Sequence, residues 1–352
     1  MCCAFSGLGH SLRLFCTSNG SAVDYDKIKD LYCLENPFEI STTKRFNIKL
    51  LGSLLYSLLT AFKVCTASSI DIVYSRNIIS LVFLLFTKSK LFYESHNSPT
   101  YFRKKIEGIV FKYNNFAKLV VISNELKKYY RTHYPLLDED KIVVAHDAAS
   151  ECVVPIETSV NIKRNEIPCL GYTGSLFPGK GIELIVKVAR ICSTCDFHVV
   201  GGSDKEIEGI RMRLKPSVNV IFHGFVDHSK LDAFRTQFDI ALLPPGEKVF
   251  TNYKGAGDIA KYMSPLKLFE YMSAKLPIIC SDLPVLREII EHEVNGILIQ
   301  SDDQVLWAEA ISELLANPEL SKSIAENAFN DFMLKYTWRS RVDLISRDFA
   351  NV

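Results

Sequence analysis

Residues 261–282 carry side chains whose types and spacing suit an anion held beside a sugar. Ser264 is of a type that caps the free N–H groups of a helix start, and Pro265 suits the first helical position. A helix beginning there exposes its positive end, which favours phosphate. Glu270 lies six residues beyond Ser264, about one and a half turns, and can project toward a hydroxyl next to that phosphate. The plainer reading pairs Glu270 with Lys267 on the helix surface, worth about 0.2–0.5 kcal/mol. A second stretch, from Gly171 through Gly174, Ser175, Gly179 and Lys180 to Gly181, reads as a strand running into a glycine-rich loop and then a helix. Small residues let backbone N–H groups approach phosphate oxygens, and Lys180 adds a point charge. The spacing matches neither the P-loop nor the dinucleotide fingerprint, and a tight strand-to-helix turn accounts for the same glycines. Two such loops at one carboxyl edge of a doubly wound sheet suggest a diphosphate.

The elements that must position these groups follow from alternation. Short apolar runs separated by helical patterns mark parallel α/β units, and two sets of them are present. The first takes Leu12 to Cys16, Ile70 to Tyr74, Leu91 to Glu94, Leu119 to Ile122 and Ile142 to Val144 as strands. The second takes Cys169 to Thr173, Phe197 to Val200, Val218 to Phe222, Ile240 to Leu243, Ile278 to Cys280 and Gly296 to Ile299. Pro277 stops the helix before the Ile278 strand. A length of 352 residues favours two domains. The expected division is 1–153, a linker at 154–167, 168–334, and a terminal helix at 335–352 that crosses back to the first domain.

With 48% hydrophobic and 23% charged residues the chain is globular in composition, and its net charge of +1 names no partner. Through Glu151 there are 19 Lys+Arg against 14 Asp+Glu, leaving 22 against 26, so the front part is the one suited to an anionic surface. The ten cysteines read as reduced, with no signal peptide expected. Cys192 and Cys195 form one isolated C-x-x-C, too few ligands for a closed zinc site, and read as buried thiols. Leu50 to Phe62 is the most apolar stretch, too short for a membrane span of about 20 residues. The surrounding segment from Thr42 to Cys65 carries Lys44, Arg45, Lys49 and Lys63, and reads either as a core helix or as one lying in a membrane interface.

Gly174 to Gly181, the run His223, Gly224, Phe225, Val226, and the block from Ser264 to Glu270 together resemble family 4 retaining glycosyltransferases of the GT-B fold. The resemblance continues through Phe92 to His96, Val121 to Leu126, Asp282 to Glu288, Asn295 with Gly296, and Tyr336 to Trp338. It implies an α/β architecture of two Rossmann-like doubly wound domains facing across a cleft. It further implies transfer of a sugar from a nucleotide-diphosphate donor to a lipid-linked or polysaccharide acceptor. By motif match, Glu270 holds the ribose, and backbone near Phe225 and Val226 meets the base. Gly174, Ser175 and Lys180 hold the diphosphate together with Ser264, Pro265, Leu266 and Lys267. His96 sits by the transferred sugar; a capping or core histidine is the alternative. The diphosphate charge is met by Lys180 and the helix start, with no metal and no further cofactor expected. No nucleic-acid partner is expected, and the location implied is cytoplasmic, at the membrane face.

Three departures qualify the match. Tyr262 stands where the family places an acid eight residues before Glu270, and Asp258, in the loop after Gly255 and Gly257, is the candidate substitute. Ser175 stands where many members carry a basic residue, for which Lys254, Lys261 or Lys267 can stand in. The usual first strand and its glycine loop precede nothing here: Met1 falls just before Gly9 and His10, as in a truncated start. A sugar-nucleotide epimerase of the same fold, or a non-catalytic nucleotide-sugar-binding protein, are the alternative functions.

Overall fold

Runs rich in β-branched and aromatic residues become strands, and every strand pairing among the described residues is parallel. The computed structural model describes residues 1–18, 28, 38–44, 51–67, 69–153, 160–163, 166–251, 258–347 and 349. The chain divides into two compact units, residues 1–146 with 338–352, and residues 147–337.

In the first unit, β1 (Arg13–Ser18) pairs with β2 (Glu39–Lys44), while β3 (Ile72–Ser75), β4 (Lys90–Ser95), β5 (Phe116–Val121) and β6 (Ile142–Val144) form a second sheet in that order. Among the described residues no strand joins the two sheets. Residues 42–44, read above as part of a helical segment, instead end β2. β-branched Ile40, Thr42 and Thr43 favour the extended form there. The helix begins, among the described residues, at Leu51. Arg45 and Lys49 lie outside the described residues, as do the glycines at 255 and 257 and most of the expected linker. Of that linker, Ile162 is buried and its N–H donates to Gln237 Oε1 at 3.0 Å, so this part is held to the second unit.

Two buried carboxylates organise the first unit. Glu107 accepts hydrogen bonds from Tyr93 at 2.8 Å and Tyr134 at 2.6 Å. Glu94, at the end of β4, is reached by the Tyr74 hydroxyl, by His96 Nε2 and by Arg341, whose Nη2 is 3.4 Å away. Arg341 comes from the helix Trp338–Ser346, and its Nε also donates to the carbonyl of His146 at 2.7 Å. Val342 and Ile345 of that helix pack with Phe5 and Phe92, and Phe349 stacks on Phe5. Burial alone pushes the Glu94 carboxyl up, but His96, Arg341 and Tyr74 outweigh it and hold the group at about 2.

The second unit has a six-stranded sheet. Its strands are β7 (Cys169–Thr173), β8 (Asp196–Val200), β9 (Val220–Gly224), β10 (Ile240–Leu243), β11 (Ile278–Ser281) and β12 (Ile297–Ile299). Their spatial order is β12-β11-β10-β7-β8-β9. Side chains alternate between two covered faces, as parallel strands require. Leu170, Phe197, Ile240 and Ile279 face the helices Ile182–Ile191 and Gln304–Ala316. Ala241, Leu243, Ile278 and Cys280 face Leu268, Phe269 and Met272 of the helix Leu266–Ser273 on the other side. Cys192 and Cys195 are both buried, and burial raises the Cys192 thiol to about 11, leaving it protonated and inert. Strand order reverses between β7 and β10, which makes their carboxyl ends the switch point where open α/β sheets bind ligands.

Two predictions follow from this packing. A Cβ at Gly171 meets the Phe238 ring at 1.9 Å, so Gly171→Ala is expected to destabilise the second unit by about 1–3 kcal/mol in urea unfolding. The Glu94 carboxyl is depressed from 4.5 to about 2, so its stabilisation is present above the unfolded value and lost as pH falls toward the folded one. Such a shift is worth about 3 kcal/mol at neutral pH. Glu94→Gln is therefore expected to be less stable than wild type at pH 7, and unfolding curves should show that gap closing between about pH 4.5 and pH 2.

Candidate functional site

The loop after β7 lies at the carboxyl edge of the second unit's sheet. Thr173 ends that strand with its N–H donating to the Tyr271 hydroxyl at 2.8 Å, which ties the loop to the helix Leu266–Ser273. Gly174 follows at φ +130° and donates its N–H to Val200 at 2.9 Å. Gly179 and Gly181 are fixed by close approach. Added Cβ atoms would lie 1.8 Å from the Lys248 carbonyl oxygen and 1.9 Å from that of Pro244. Gly181, at φ +92°, is the N-cap of the helix Ile182–Ile191. The loop is thereby pressed against the segment that follows β10. Ser175 is exposed at its tip, and its carbonyl accepts the Tyr172 hydroxyl at 2.8 Å.

Two ammonium groups sit at this edge. Lys267 lies in the first turn of Leu266–Ser273, with Nζ 3.8 Å from the centre of the Tyr172 ring. It also rests against Gly174, 2.9 Å from the position a Cβ would take. Burial pushes its pKa well below 10.5, and the neighbouring Lys180 charge lowers it further, with Glu270 opposing. Burial lowers Lys180 as well. Among the described residues no carboxylate lies within ion-pair distance of either group. A partly desolvated cation pair of this kind is stabilised by a bound anion and is a mark of functional sites.

The helix start differs from the sequence expectation. Pro265 is the N-cap, the helix begins at Leu266, and no side chain caps it. Ser264 is buried, and its hydroxyl accepts the N–H of Asp147 at 2.9 Å instead. A tertiary hydrogen bond has taken the oxygen that local geometry would have turned onto the helix, so the N–H groups at that start keep their charge facing outward. Leu266 is exposed.

Glu270 is also not the partner of Lys267 on a helix surface. Its carboxylate lies 3.3 Å from His228 Nε2 and 3.4 Å from Nη2 of the buried Arg235. Burial raises the Glu270 carboxyl, but the His228 hydrogen bond and the Arg235 charge outweigh it and the net shift is downward. The same hydrogen bond raises His228. Arg235 Nε and Nη2 have no hydrogen-bond partner, although Asp232 holds Nη1. His228 and Arg235 were missed from the sequence because they lie far from Glu270 along the chain. The run from His223 to Val226, which leads into His228, is the only local signal.

The remaining expected residues are placed as follows. Phe225 is 77% exposed after β9, and Val226 packs on the core beneath it. Asp258 accepts the N–H groups of Val249 and Ala260, both at 3.0 Å, through one oxygen, and so closes a loop. Tyr262 is buried beside Lys261. Of the three lysines named as substitutes for a basic residue at Ser175, Lys254 lies outside the described residues, Lys261 is exposed, and Lys267 is the one resting on Gly174. In the first unit His96 follows β4 with its ring between Glu94 and Arg76, Arg76 Nη2 being 2.7 Å from Nδ1.

The profile of glycosyl transferases group 1 matches residues 156–331, half of the chain. A glycosyltransferase of Methanocaldococcus jannaschii, MJ1607, is 25% identical over 67% of this chain and 59% of its own length. Alpha-D-kanosaminyltransferase of Streptomyces kanamyceticus is 24% identical over 53% and 46%. The chain thus spans about half to three-fifths of these relatives. Among solved structures, a glycosyltransferase from Rickettsia africae superposes with a TM-score of 0.72 at 17% identity, covering 100% of this chain and 93% of that one. HepE of Anabaena in complex with UDP gives 0.69 at 13% identity, covering 97% and 100%. These likenesses establish the GT-B fold with its Rossmann-like domains. With that profile covering half of the chain and lying within the second unit, the chain belongs to the group 1 glycosyl transferases.

Proposed function

We propose that the protein transfers a hexose from a nucleoside-diphosphate donor to a lipid-linked or polysaccharide acceptor, with retention at the anomeric carbon as in family 4. The observation that carries the reading is the pair of desolvated ammonium groups, Lys180 and Lys267, beside an uncapped helix start at the sheet's switch point. A diphosphate bears the charge and size that such a group of donors can meet. The solved HepE structure with UDP-glucose supports this donor class. Glu270, oriented by Arg235 and His228, is the ribose ligand in this reading, and the exposed ring of Phe225 lies beside the backbone that meets the base. Retention is supported by the likeness of the block from Ser264 to Glu270 to retaining enzymes.

In the transfer step the bond between the anomeric carbon and the leaving phosphate oxygen breaks as the acceptor oxygen bonds to the same face of that carbon. The departing diphosphate takes the acceptor proton. Lys180, Lys267 and the N–H groups of the Leu266 turn stabilise charge growing on that diphosphate, so no metal is assigned to the step. His96, fixed by the depressed Glu94 carboxylate, is assigned to a hydroxyl of the transferred sugar. The location assigned is the cytoplasmic side of a membrane.

A calorimetric panel of UDP, GDP, ADP and CDP is expected to give one preferred base. Lys180→Ala, Lys267→Ala and Glu270→Ala are each expected to weaken that nucleotide by about tenfold or more, the usual cost of losing a charged hydrogen bond. Unchanged affinity in all three would overturn the site. With the matching nucleotide sugar, a chelator such as EDTA is expected to leave transfer unchanged, and the product should be a glycoside of retained configuration. Nucleotide binding without turnover would favour a non-catalytic binding protein, and an isomerised donor would favour an epimerase.

A further inference from the structure

The helix Leu51–Thr66 of the first unit is inside out. Its large apolar residues, Leu51, Leu54, Leu55, Leu58, Leu59 and Phe62, recur at helical spacing and are exposed, Phe62 at 65%. The side facing the protein carries Gly52, Ser57, Thr60, Ala61 and Val64, small or polar residues for the most part. An amphipathic helix of a globular domain normally turns its large apolar stripe inward. Here inward packing needs small residues, and the apolar stripe is left for another phase.

The stripe does not stand alone. The helix packs beside Ile78–Val82, which in turn packs beside the helix Tyr101–Val110. This layer adds Phe86, 88% exposed, with Tyr101 and Phe102, the last at 70%. Lys88, Lys105 and Lys112 of the same stretch are exposed, Lys105 Nζ lying 4.7 Å from the centre of the Tyr101 ring. Across residues 51–118 there are nine Lys+Arg against three Asp+Glu, and two of those three acids, Glu94 and Glu107, are buried. Arg76 and Arg103 are paired with those two acids, and Lys63 and Lys118 bond to backbone carbonyls, so Lys88, Lys105 and Lys112 supply the exposed positive charge of a stretch whose other exposed groups are largely apolar. Two copies meeting through it would bring like charges into contact, whereas an anionic bilayer answers both properties.

We infer that this face, from Leu51 to Phe62 with Phe86, Tyr101 and Phe102, seats the first unit on an anionic lipid surface. Among the described residues no helix is long and apolar enough to cross a membrane, so the contact is one of lying on the surface. The inference takes its purpose from the lipid-linked acceptor proposed above, but the binding needs neither donor nor transfer.

The test is co-sedimentation of the full chain, without nucleotide, with phosphatidylcholine vesicles containing about 30 mol% phosphatidylglycerol, and with pure phosphatidylcholine. Binding is expected to be about tenfold or more tighter with the anionic lipid, and to weaken as salt rises from about 0.1 to about 0.5 M. The double variant Leu58→Ser, Phe62→Ser is expected to lose about tenfold or more in affinity, with its melting temperature and its nucleotide affinity kept, since both side chains are exposed in the first unit. Lys88→Glu with Lys105→Glu should remove the preference for anionic lipid. Failure of the folded wild type to sediment, or equal binding by the double variant, overturns the inference. A dimer by light scattering that the Leu58→Ser, Phe62→Ser change dissolves, with no lipid binding, overturns it in favour of a second copy. Nucleotide binding measured on the same samples reports separately on the donor site.

Discussion

A parallel sheet carries helices on both faces, so its strands must be apolar on both sides and its connections must cross from one end to the other. In the second unit this constraint leaves very little polar backbone free except at the strand ends. It also places every loop that follows a strand at the same edge. Because the order reverses between β7 and β10, the loop from Gly174 and the segment after Leu243 meet at the switch point of that edge. Gly179 and Gly181 then bring the first loop back onto Lys248 and Pro244 with no room for a side chain. The floor of the site is thus a consequence of sheet order, and the glycines are the condition for its closing.

Electrostatics at that edge run opposite to those of the first unit. There, buried carboxylates are answered: Glu94 by Arg341 and His96, and Glu107 by three tyrosines and Arg103. Burial and hydrogen bonding are balanced differently at the two acids, so Glu94 is depressed while Glu107 is raised. At the second unit's edge Lys180 and Lys267 are desolvated and face each other's charge, with only Glu270 offsetting the second. Glu270 itself is turned toward Arg235 and His228. An arrangement that costs stability in the free protein, and that a bound anion relieves, is the kind of local inconsistency that functional sites carry.

The same reasoning distinguishes the two surfaces of the first unit. Its inner packing is ordinary, with Phe5, Phe92, Val342 and Ile345 in one cluster. The helix Leu51–Thr66 violates the usual pattern because the side packed on the protein is built from small residues, which lets the helix approach closely while its leucines remain outside. A sequence plot sees the period of that helix and not its direction.

The sequence by itself determined the parallel α/β class, the described strands other than β2 to within a few residues, and the positions of the glycine-rich loop and of the helix near Ser264, because period, glycine content and helix-start chemistry are local properties. It also singled out Gly174, Lys180 and Glu270 by type and spacing. It did not determine what those groups touch. Ser264 was read as a helix cap and is instead the acceptor for Asp147, and Glu270, read as directed at a sugar hydroxyl with a Lys267 pair as the plainer alternative, is held by His228 and Arg235. Lys267 was one of three candidates to replace a basic residue at Ser175, and only the fold shows it lying on Gly174 and the Tyr172 ring. Each of these was decided by contacts between residues tens to more than a hundred positions apart. Local propensity is worth about 1 kcal/mol or less per residue, and a buried tertiary hydrogen bond or charge pair outweighs it once the chain has closed.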